Sequence, residues 1–475
     1  MKKITFLVFL ISPAISFAQV DFGSPTASAM GGAVTASAKD WEAIEINPAN
    51  LGYKNNHAIS MSILNVGINL EDNGVTVQQM EQIKVQDTLT PAQRQEMKDL
   101  LTSPTGLNIN TTITWAALSF SIPKIGGFAI SLADEIYAHV KLSQDAGTLV
   151  TDLLFDKSTS FAISQVNKDS NILKETVPQI LDGTTVGGYQ YRELNIDYGH
   201  KLLTLNIVQS RQGEASFENS EYLPDNGKTG DVVTNPLTIY GGFGIKPIWG
   251  IADYNGLASG GENIENGTYV YGQPGYTQNI LSNMFHANGR GLGIDLGLSA
   301  SYKKWKLGFS AIDLGKINWQ NNSFVPASID LPSPDSIAKT VQNNAKIFQY
   351  FAVNQAAGPN YTTELPSKFR SGISYQLTRG ILLSGDFVAP LNNVQGNLLN
   401  PYYVVGAHIN FFSILSFSAG YATEKGFGNL IPAGVFLNFL GGFEVFVATD
   451  DVYAFLNQGH SHVLSASFGI KLFGF

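Results

Sequence analysis

Apolar residues alternate with small or polar residues along most of the chain, in segments of about ten residues. The clearest segment is GLGIDLGLSASY, residues 291–302, where glycine, serine and one aspartate separate the apolar positions. Because successive side chains of a β-strand point to opposite faces, this pattern predicts a strand with one apolar face. A second alternating segment starts at Trp305, directly after Lys303 and Lys304, so the two segments predict a β-hairpin with a short turn.

The same pattern predicts about fourteen strands, an even number as in single-chain bacterial membrane barrels. They lie at 57–70, 107–122, 127–142, 189–201, 236–252, 291–302, 305–311, 366–377, 380–389, 400–410, 413–424, 430–439, 441–450 and 462–475. Their parity predicts several charged side chains on the inner face: Glu193, Asp197, Asp295, Lys306, Arg370, Asp386 and His408. The fold class predicted is therefore all-β, a transmembrane antiparallel β-barrel.

The connections between these strands alternate in length. Tight turns fall near 124–127, 303–304, 378–380, 410–412 and 440–442, whereas 71–106, 143–188, 253–289 and 321–363 are long. Membrane barrels have short periplasmic turns and long extracellular loops, so this alternation orients the barrel. The connection 201–235 breaks the alternation, and either a long periplasmic turn or a further hairpin fits it.

Composition supports a membrane protein that crosses with strands. Charged residues make up 14% of the chain and the sequence contains 48 glycines, whereas soluble domains have about 25% charged residues. Beyond the N-terminus, no apolar run reaches the roughly 18 to 20 residues that a transmembrane helix needs. The net charge of −9 argues against nucleic acid as a partner, and the absence of cysteine excludes disulfides.

The first residues predict export. Lys2 and Lys3 precede an apolar run that ends in small residues at Ala18, which is the pattern of a signal peptide cleaved before Gln19. Residues 1–18 are therefore predicted to be a signal peptide. The predicted location of the mature chain is the bacterial outer membrane, with outer-membrane lipid around the barrel.

Helical patterns occur in the long connections. Residues 88–103 contain Thr90, Pro91 and Gln93 in the arrangement of a capping box, and apolar helical spacing recurs in 147–155 and 333–352. Two interpretations fit these helices: they cap the barrel by packing on one another, or their apolar faces form an extracellular groove for a hydrophobic ligand. The groove would use Leu149, Leu153, Ile337, Val341, Phe348 and Phe351.

No pattern predicts an enzyme, a cofactor site or a metal site. The sequence Asn226-Gly227-Lys228-Thr229 ends like a phosphate-binding loop, but Tyr222 stands where that motif requires glycine. His460 and His462 share one predicted loop with Asp450 and Asp451, and two histidines without a fixed third ligand are weak evidence for metal. The interpretation favoured there is an ordinary polar loop.

The N-terminal stretch GSPTASAMGGAVTASAKDWEAIEINPANLG, residues 23–52, resembles a known family. It is similar to the start of the FadL/TodX outer-membrane transporters of long-chain fatty acids and aromatic hydrocarbons. It is also similar to Bacteroidetes-type barrels of uncharacterised function, which share a hairpin like that of residues 291–319. The resemblance implies a barrel of about fourteen strands that is plugged by an N-terminal hatch, with residues 19–56 as the hatch and 57–475 as the barrel.

The resemblance also implies function. Members of the family carry hydrophobic small molecules, and the positions that match its hatch motif here are Gly31, Gly32, Asn47, Pro48 and Ala49. The implied partners are a hydrophobic ligand and, during biogenesis, the barrel-assembly machinery. Related barrels also act as interaction or scaffold components of a type IX secretion or gliding apparatus, so that function is the alternative. A periplasmic lead-in strand is the alternative to a hatch.

Overall fold

The computed structural model describes residues 24–72, 74–82, 90–155, 182–209, 215–219, 234–259, 262–269, 287–320, 360–412, 414–424, 428–439 and 442–472. Its strands are β1 (Ile59–Glu71), β2 (Leu107–Ile122), β3 (Gly126–Lys141), β4 (Thr185–Gln209), β5 (Ala215–Asn219), β6 (Thr234–Ser259), β7 (Glu262–Tyr269), β8 (Gly289–Tyr302), β9 (Trp305–Trp319), β10 (Tyr361–Glu364), β11 (Lys368–Thr378), β12 (Ile381–Pro390), β13 (Tyr402–Asn410), β14 (Leu415–Glu424), β15 (Gly428–Leu430), β16 (Ala433–Phe439), β17 (Phe443–Thr449) and β18 (Val463–Leu472). The α-helices are α1 (Pro25–Ala29), α2 (Val77–Gln82), α3 (Pro91–Leu101), α4 (Gln144–Phe155) and α5 (Tyr453–Leu456). Two 3-10 helices, η1 (Asp40–Ala43) and η2 (Pro48–Gly52), follow α1.

The strands form one closed antiparallel barrel of fourteen strands, as the alternation predicts. The ring runs β1, β2, β3, β4, β6, β8, β9, β11, β12, β13, β14, β16, β17 and β18, and β18 pairs with β1 to close it. Proline explains two of the four additional strands. Pro366 separates β10 from β11 and Pro432 separates β15 from β16, because proline has no N–H to donate to a neighbouring strand.

The connection 201–235 lengthens two barrel strands. β4 and β6 stay paired as far as Val208 and Thr234, and the short strand β5 pairs with the last residues of β4. The number of strands in the ring is unchanged by this extension. Residues 210–214 and 220–233 lie outside the described residues.

The two faces of the barrel differ as the parity of the sequence predicts. On β8, Leu292, Leu296 and Leu298 are about half exposed on the outside, whereas Asp295 and Ser299 are buried on the inside. The other strands repeat this arrangement and surround the barrel with exposed Leu, Ile, Val, Phe and Tyr side chains. Such a surface suits the hydrocarbon of a lipid bilayer. No helix within the described ranges is long and apolar enough to cross a membrane.

Ordered loops cover the end of the barrel that carries the long connections. In α3, Thr90 and Gln93 form the predicted capping box. The connection after β12 turns inward, where Leu398 is buried against the N-terminal segment. α4 begins at Gln144 and includes Leu149 and Leu153, whose side chains lie outside the description. The other proposed groove residues, Ile337, Val341, Phe348 and Phe351, lie outside the described residues, as does the predicted signal peptide of residues 1–18.

A charge on the outer face should destabilise the barrel in lipid. Leu296 lies in the middle of β8 and is 50% exposed. We expect Leu296→Arg to lower the free energy of unfolding in lipid vesicles by about 2–4 kcal/mol, because the guanidinium would have to enter hydrocarbon. Chemical unfolding of Leu296→Ile is the control, and equal stability of the two variants would contradict the assignment of this face to lipid.

Candidate functional site: the hatch and its seat

Residues 24–53 lie inside the barrel, and each is buried or partly buried. We call residues 24–56 the hatch. The chain enters from the end with the short turns, because β1 begins there at Ile59. Its elements α1, η1 and η2 contact the inner faces of strands from opposite sides of the ring, including β4, β6, β8 and β17. The hatch therefore fills the cross-section of the lumen.

Small residues and local caps give the hatch its shape. Gly31 and Gly32 have φ values of +62° and +89° and form the bend after α1, a region that residues with a β-carbon adopt at a cost. Asn47 is extended and begins η2, with its Oδ1 accepting a hydrogen bond from the Ala49 N–H at 3.1 Å. Pro48 suits the first position of a helix because its missing N–H would have no partner there.

Glycines on the inner face of the wall form the seat of the hatch. A β-carbon at any of nine positions on nine different strands would crowd a hatch atom: Gly127, Gly199, Gly242, Gly297, Gly308, Gly372, Gly406, Gly420 and Gly434. At Gly199 and Gly242 it would overlap the backbone of Pro48 and Ala49. The wall is thus shaped to let the hatch backbone approach the strands directly.

The side chain of Asn47 hydrogen-bonds to another part of the hatch and to β8. Its Nδ2 donates to Ser299 Oγ at 3.0 Å and to the Thr35 carbonyl at 3.3 Å. Ser299 Oγ in turn donates to Asn50 Oδ1 at 2.6 Å, and Asn50 Nδ2 donates to the Thr35 carbonyl. Asn47 and Asn50 are fully buried, so this network satisfies polar groups that would otherwise be costly.

A buried Arg–Asp pair on neighbouring strands holds the bend of the hatch. Arg370 of β11 donates through Nη2 to the Gly32 carbonyl at 2.8 Å and through Nε to Thr35 Oγ1 at 3.0 Å. Asp386 of β12 accepts from the backbone N–H groups of Val34 and Thr35 at 3.0 and 2.7 Å. Each charge thus has hydrogen-bonding partners in the hatch backbone, which a buried ion needs.

Two lysines hold the acidic part of the hatch. Lys471 of β18 lies 2.8 Å from Glu42, and Lys246 of β6 lies 3.2 Å from Glu45. All four side chains are buried or largely buried. Removing one member of such a pair leaves an unpaired buried charge, at a cost of about 3–5 kcal/mol, although an intact pair adds little net stability.

The hatch is joined to its connection with β1 by a carboxylate–imidazole contact. Asp40 Oδ2 lies 2.7 Å from His57 Nδ1, and Asp40 Oδ1 accepts from the His57 backbone N–H at 2.7 Å. Burial by itself raises the pKa of Asp40, but the hydrogen bonds from His57 and the positive charges of Lys39 and Lys471 together outweigh it, so the pKa lies below its ordinary value. Asp40 is therefore held in its ionised form at neutral pH.

Aromatic side chains of β3, β4, β9 and β10 are packed between the hatch and the end with the long loops. Tyr137 of β3 stacks on Tyr189 of β4 with ring centroids 4.6 Å apart, and Tyr191 follows at 5.3 Å from Tyr189. Trp319 and Tyr361 form a second pair, with a centroid separation of 6.3 Å. We call these five residues the aromatic layer.

All five predicted hatch residues lie in the hatch, and each contacts the wall or belongs to the hydrogen-bond network around Asn47. They are Gly31, Gly32, Asn47, Pro48 and Ala49. Sequence reasoning missed the hatch carboxylates Glu42 and Glu45. The feature of the sequence that could have identified them is a pair of acidic residues three positions apart. The lysines that these carboxylates meet, Lys246 and Lys471, are also absent from the inner-face charges that the parity predicts.

The loop with His460 and His462 is a structural element. Ser461 Oγ donates to Asp451 Oδ2 at 2.6 Å, and Asp451 Oδ1 accepts from the backbone N–H of Tyr453 at the start of α5. His462 Nδ1 lies 3.0 Å from the Val75 carbonyl. These contacts fix the loop against the connection after β1.

One family matches part of this chain, and solved structures match nearly all of it. The family described as "Family of unknown function (DUF5723)" matches residues 244–450. A search of curated proteins finds no match. Among solved structures, the Pseudomonas putida toluene transporter TodX is 11% identical, with 97% of this chain and 98% of that chain covered and a TM-score of 0.40. A Pseudomonas aeruginosa FadL homologue is 11% identical, with 96% and 98% covered and a TM-score of 0.40. TodX and FadL are the names of the family that the N-terminal stretch resembles.

The bend of the hatch offers a selective test. In Gly32→Ala, the new β-carbon would lie 2.6 Å from Tyr402 Oη at a φ of +89°. We expect a local cost of about 1–3 kcal/mol, measured as faster hydrogen–deuterium exchange in residues 24–56 with unchanged exchange in the strands. Ser37→Ala, in the same segment, is the control because Ser37 Oγ makes only hydrogen bonds of 3.5 Å. Unchanged exchange in Gly32→Ala would refute the role of this bend.

Proposed function

We propose that the protein transports hydrophobic small molecules across the bacterial outer membrane, and that movement of the hatch opens the path. The observation that carries this proposal is the seat of the hatch. The hatch backbone rests on wall glycines, and apolar hatch side chains such as Met30 and Trp41 pack against the wall. Ion pairs and side-chain hydrogen bonds from Arg370, Lys246 and Lys471 hold it in addition. Water can replace these polar contacts when the hatch moves, whereas the apolar contacts would have to separate.

The outer surface supports a location in the membrane. The closed ring leaves no unpaired edge on the fourteen barrel strands, and the exposed side chains of its middle section are apolar. A closed sheet of this kind satisfies its backbone hydrogen bonds within lipid. Because membrane barrels have short periplasmic turns, we infer that the hatch enters from the periplasmic side and that the long loops lie outside the cell.

The aromatic layer supports hydrophobic molecules as the class transported. Tyr137, Tyr189 and Tyr191 form a continuous stack of rings on β3 and β4, between the loops and the hatch. Stacked rings present apolar faces that can hold an aromatic or acyl ligand without demanding a fixed set of hydrogen bonds. The solute would meet this layer before it reached the hatch.

The first test is the content of the protein when it is purified gently from its own membrane. We expect native mass spectrometry to find a co-purifying acyl or aromatic molecule, and Tyr189→Ala to reduce its occupancy through loss of the stack. Tyr375→Ala is the control, because this aromatic residue lies outside the aromatic layer, near the turn between β8 and β9. Stoichiometric protein partners without a bound ligand would instead favour the scaffold function.

The second test immobilises the hatch. The chain contains no cysteine, and a β-carbon on Gly406 would lie 3.3 Å from that of Ala33, close to the roughly 3.5–4.5 Å of disulfides. We expect the double variant Ala33→Cys with Gly406→Cys to lose uptake of a fluorescent long-chain fatty acid when oxidised and to regain it under reductant. Each single variant is a control. Equal uptake in the oxidised and reduced double variant would contradict gating by the hatch.

A further inference from the structure

A groove of about 500 Å³ lies on the outer face of the barrel, across β9, β11, β12, β13 and β14. Its position follows from the pairing of the strands. Gly385 of β12 pairs with Ile373 of β11 and Val405 of β13. In the neighbouring row, Ser371 of β11 pairs with Phe387 of β12. Gly385 has no side chain and Ser371 has a small one, so the wall is indented between their large neighbours.

The sides of the groove are apolar. Leu307, Phe309 and Ile373 line it and are exposed on the outer face. The rings of Phe387 and Tyr403 form another part of the lining, with their centroids 5.0 Å apart. A concave surface with such a lining favours an apolar ligand. Because the groove opens towards lipid, a hydrocarbon chain is the ligand that suits it.

Three exposed basic residues lie beyond the end of the groove that is nearer the short turns. Lys303 and Lys304 form the turn between β8 and β9, and Arg379 lies in the turn between β11 and β12. Two hydrogen bonds join these turns: the Gln376 N–H donates to the Lys304 carbonyl at 2.9 Å, and Lys304 Nζ donates to the Leu377 carbonyl at 2.8 Å. Within the described ranges, none of the three basic residues forms an ion pair with a carboxylate. We call Lys303, Lys304 and Arg379 the basic cluster.

Aromatic rings connect the basic cluster to the groove. Trp305 of β9 pairs with Tyr375 of β11 in the row between the groove and the turns, and their ring centroids are 4.4 Å apart. Lys304 Nζ lies 5.9 Å from the ring centroid of Tyr375, and Lys303 Nζ lies 5.2 Å from that of Tyr302. Ammonium groups above aromatic rings at the edge of an apolar band lie at the depth of lipid headgroups.

We infer that this part of the outer wall binds one anionic glycerophospholipid of the periplasmic leaflet, with its phosphate at the basic cluster and an acyl chain in the groove. Phosphate oxygens accept hydrogen bonds from guanidinium and ammonium groups, and basic residues at a membrane surface attract anionic lipids. Free phosphate would leave the groove unfilled, and an uncharged hydrocarbon would leave the basic cluster without a counter-charge. A phospholipid accounts for both features, because it carries a charged group and an apolar chain on one molecule.

The test is native mass spectrometry of the full chain in detergent, with added phosphatidylglycerol, phosphatidylcholine or inorganic phosphate. We expect one tightly bound phosphatidylglycerol per chain, weaker binding of phosphatidylcholine, whose headgroup has no net charge, and no retained phosphate. The mass of the bound lipid identifies it, so its binding is distinguishable from that of a transported solute.

Gly385→Leu tests the groove. A β-carbon on Gly385 would lie 3.6 Å from Val405 Cγ1, an ordinary contact, so a leucine side chain can fill the groove without displacing the strand. We expect the affinity for phosphatidylglycerol to fall by about ten-fold or more, because the acyl chain loses buried contact. Ala116→Leu is the control, since Ala116 is exposed on the outer face of β2, outside the groove.

A triple variant tests the basic cluster. It combines Lys303→Gln, Lys304→Gln and Arg379→Gln. We expect it to bind phosphatidylglycerol at least about ten-fold more weakly and to lose the preference over phosphatidylcholine. The matched control removes three exposed basic residues from the same end of the barrel but from other connections and strands, and should bind as the unmodified protein does. It combines Lys54→Gln, Lys124→Gln and Lys201→Gln.

Absence of bound phosphatidylglycerol in the unmodified protein would overturn the inference. Unchanged affinity in folded Gly385→Leu or in the folded triple variant would overturn it too, as would an equal loss in either control. A dimer that Gly385→Leu dissociates would instead assign the groove to a second copy of the chain. Circular dichroism establishes that each variant is folded, and either of the two variants is sufficient to decide. The binding assay does not depend on transport.

Discussion

The close approach of the hatch backbone to the barrel wall is the constraint on which the rest of the structure depends. The lumen has room for α1, η1 and η2 because nine of its strands present glycine at the point of contact. At Gly242, for example, a β-carbon would overlap the backbone between Pro48 and Ala49. Glycine weakens a strand by roughly 0.5–1 kcal/mol relative to alanine. The glycines therefore make the wall less stable, but they allow the hatch backbone to fit inside it.

This constraint also explains why the interior is polar. The hatch buries apolar side chains such as Met30, Trp41 and Ile46, but its short helices leave backbone groups without internal partners. Wall side chains supply those partners, as Asp386 does for the N–H groups of Val34 and Thr35 and Ser310 does for the Ile46 carbonyl. The inner faces of the strands therefore carry side chains that hydrogen-bond to backbone, in addition to glycines that admit it.

The sequence predicts the barrel well because alternation records a single physical fact, the difference between lipid on one side and lumen on the other. On β8 this fixes the direction of each side chain from Leu292 to Ser299. It cannot predict which inner residues meet, because Glu45 and Lys246 are 201 positions apart and their contact depends on where the hatch lies in the ring. Irregularities within a strand are also hard to predict. Asp313 adopts a φ of +58° and shifts the pairing of β9 with β8, although its neighbours Ile312 and Leu314 are apolar.

The order of residues along the interior of the barrel links these features to the proposed movement of a solute. Along β3 and β4, the rings of Tyr137 and Tyr189 come first, the carboxylates of Glu135 and Glu193 next, and glycines beneath η2 last. A hydrophobic molecule would be stabilised at the rings but not at the charged level, since carboxylates in a dry interior interact poorly with apolar groups. For the proposed transport, passage would therefore require these carboxyl groups to rearrange, and Glu45 would couple that rearrangement to the position of the hatch. The same side chain would then determine both the electrostatics of the proposed path and its obstruction.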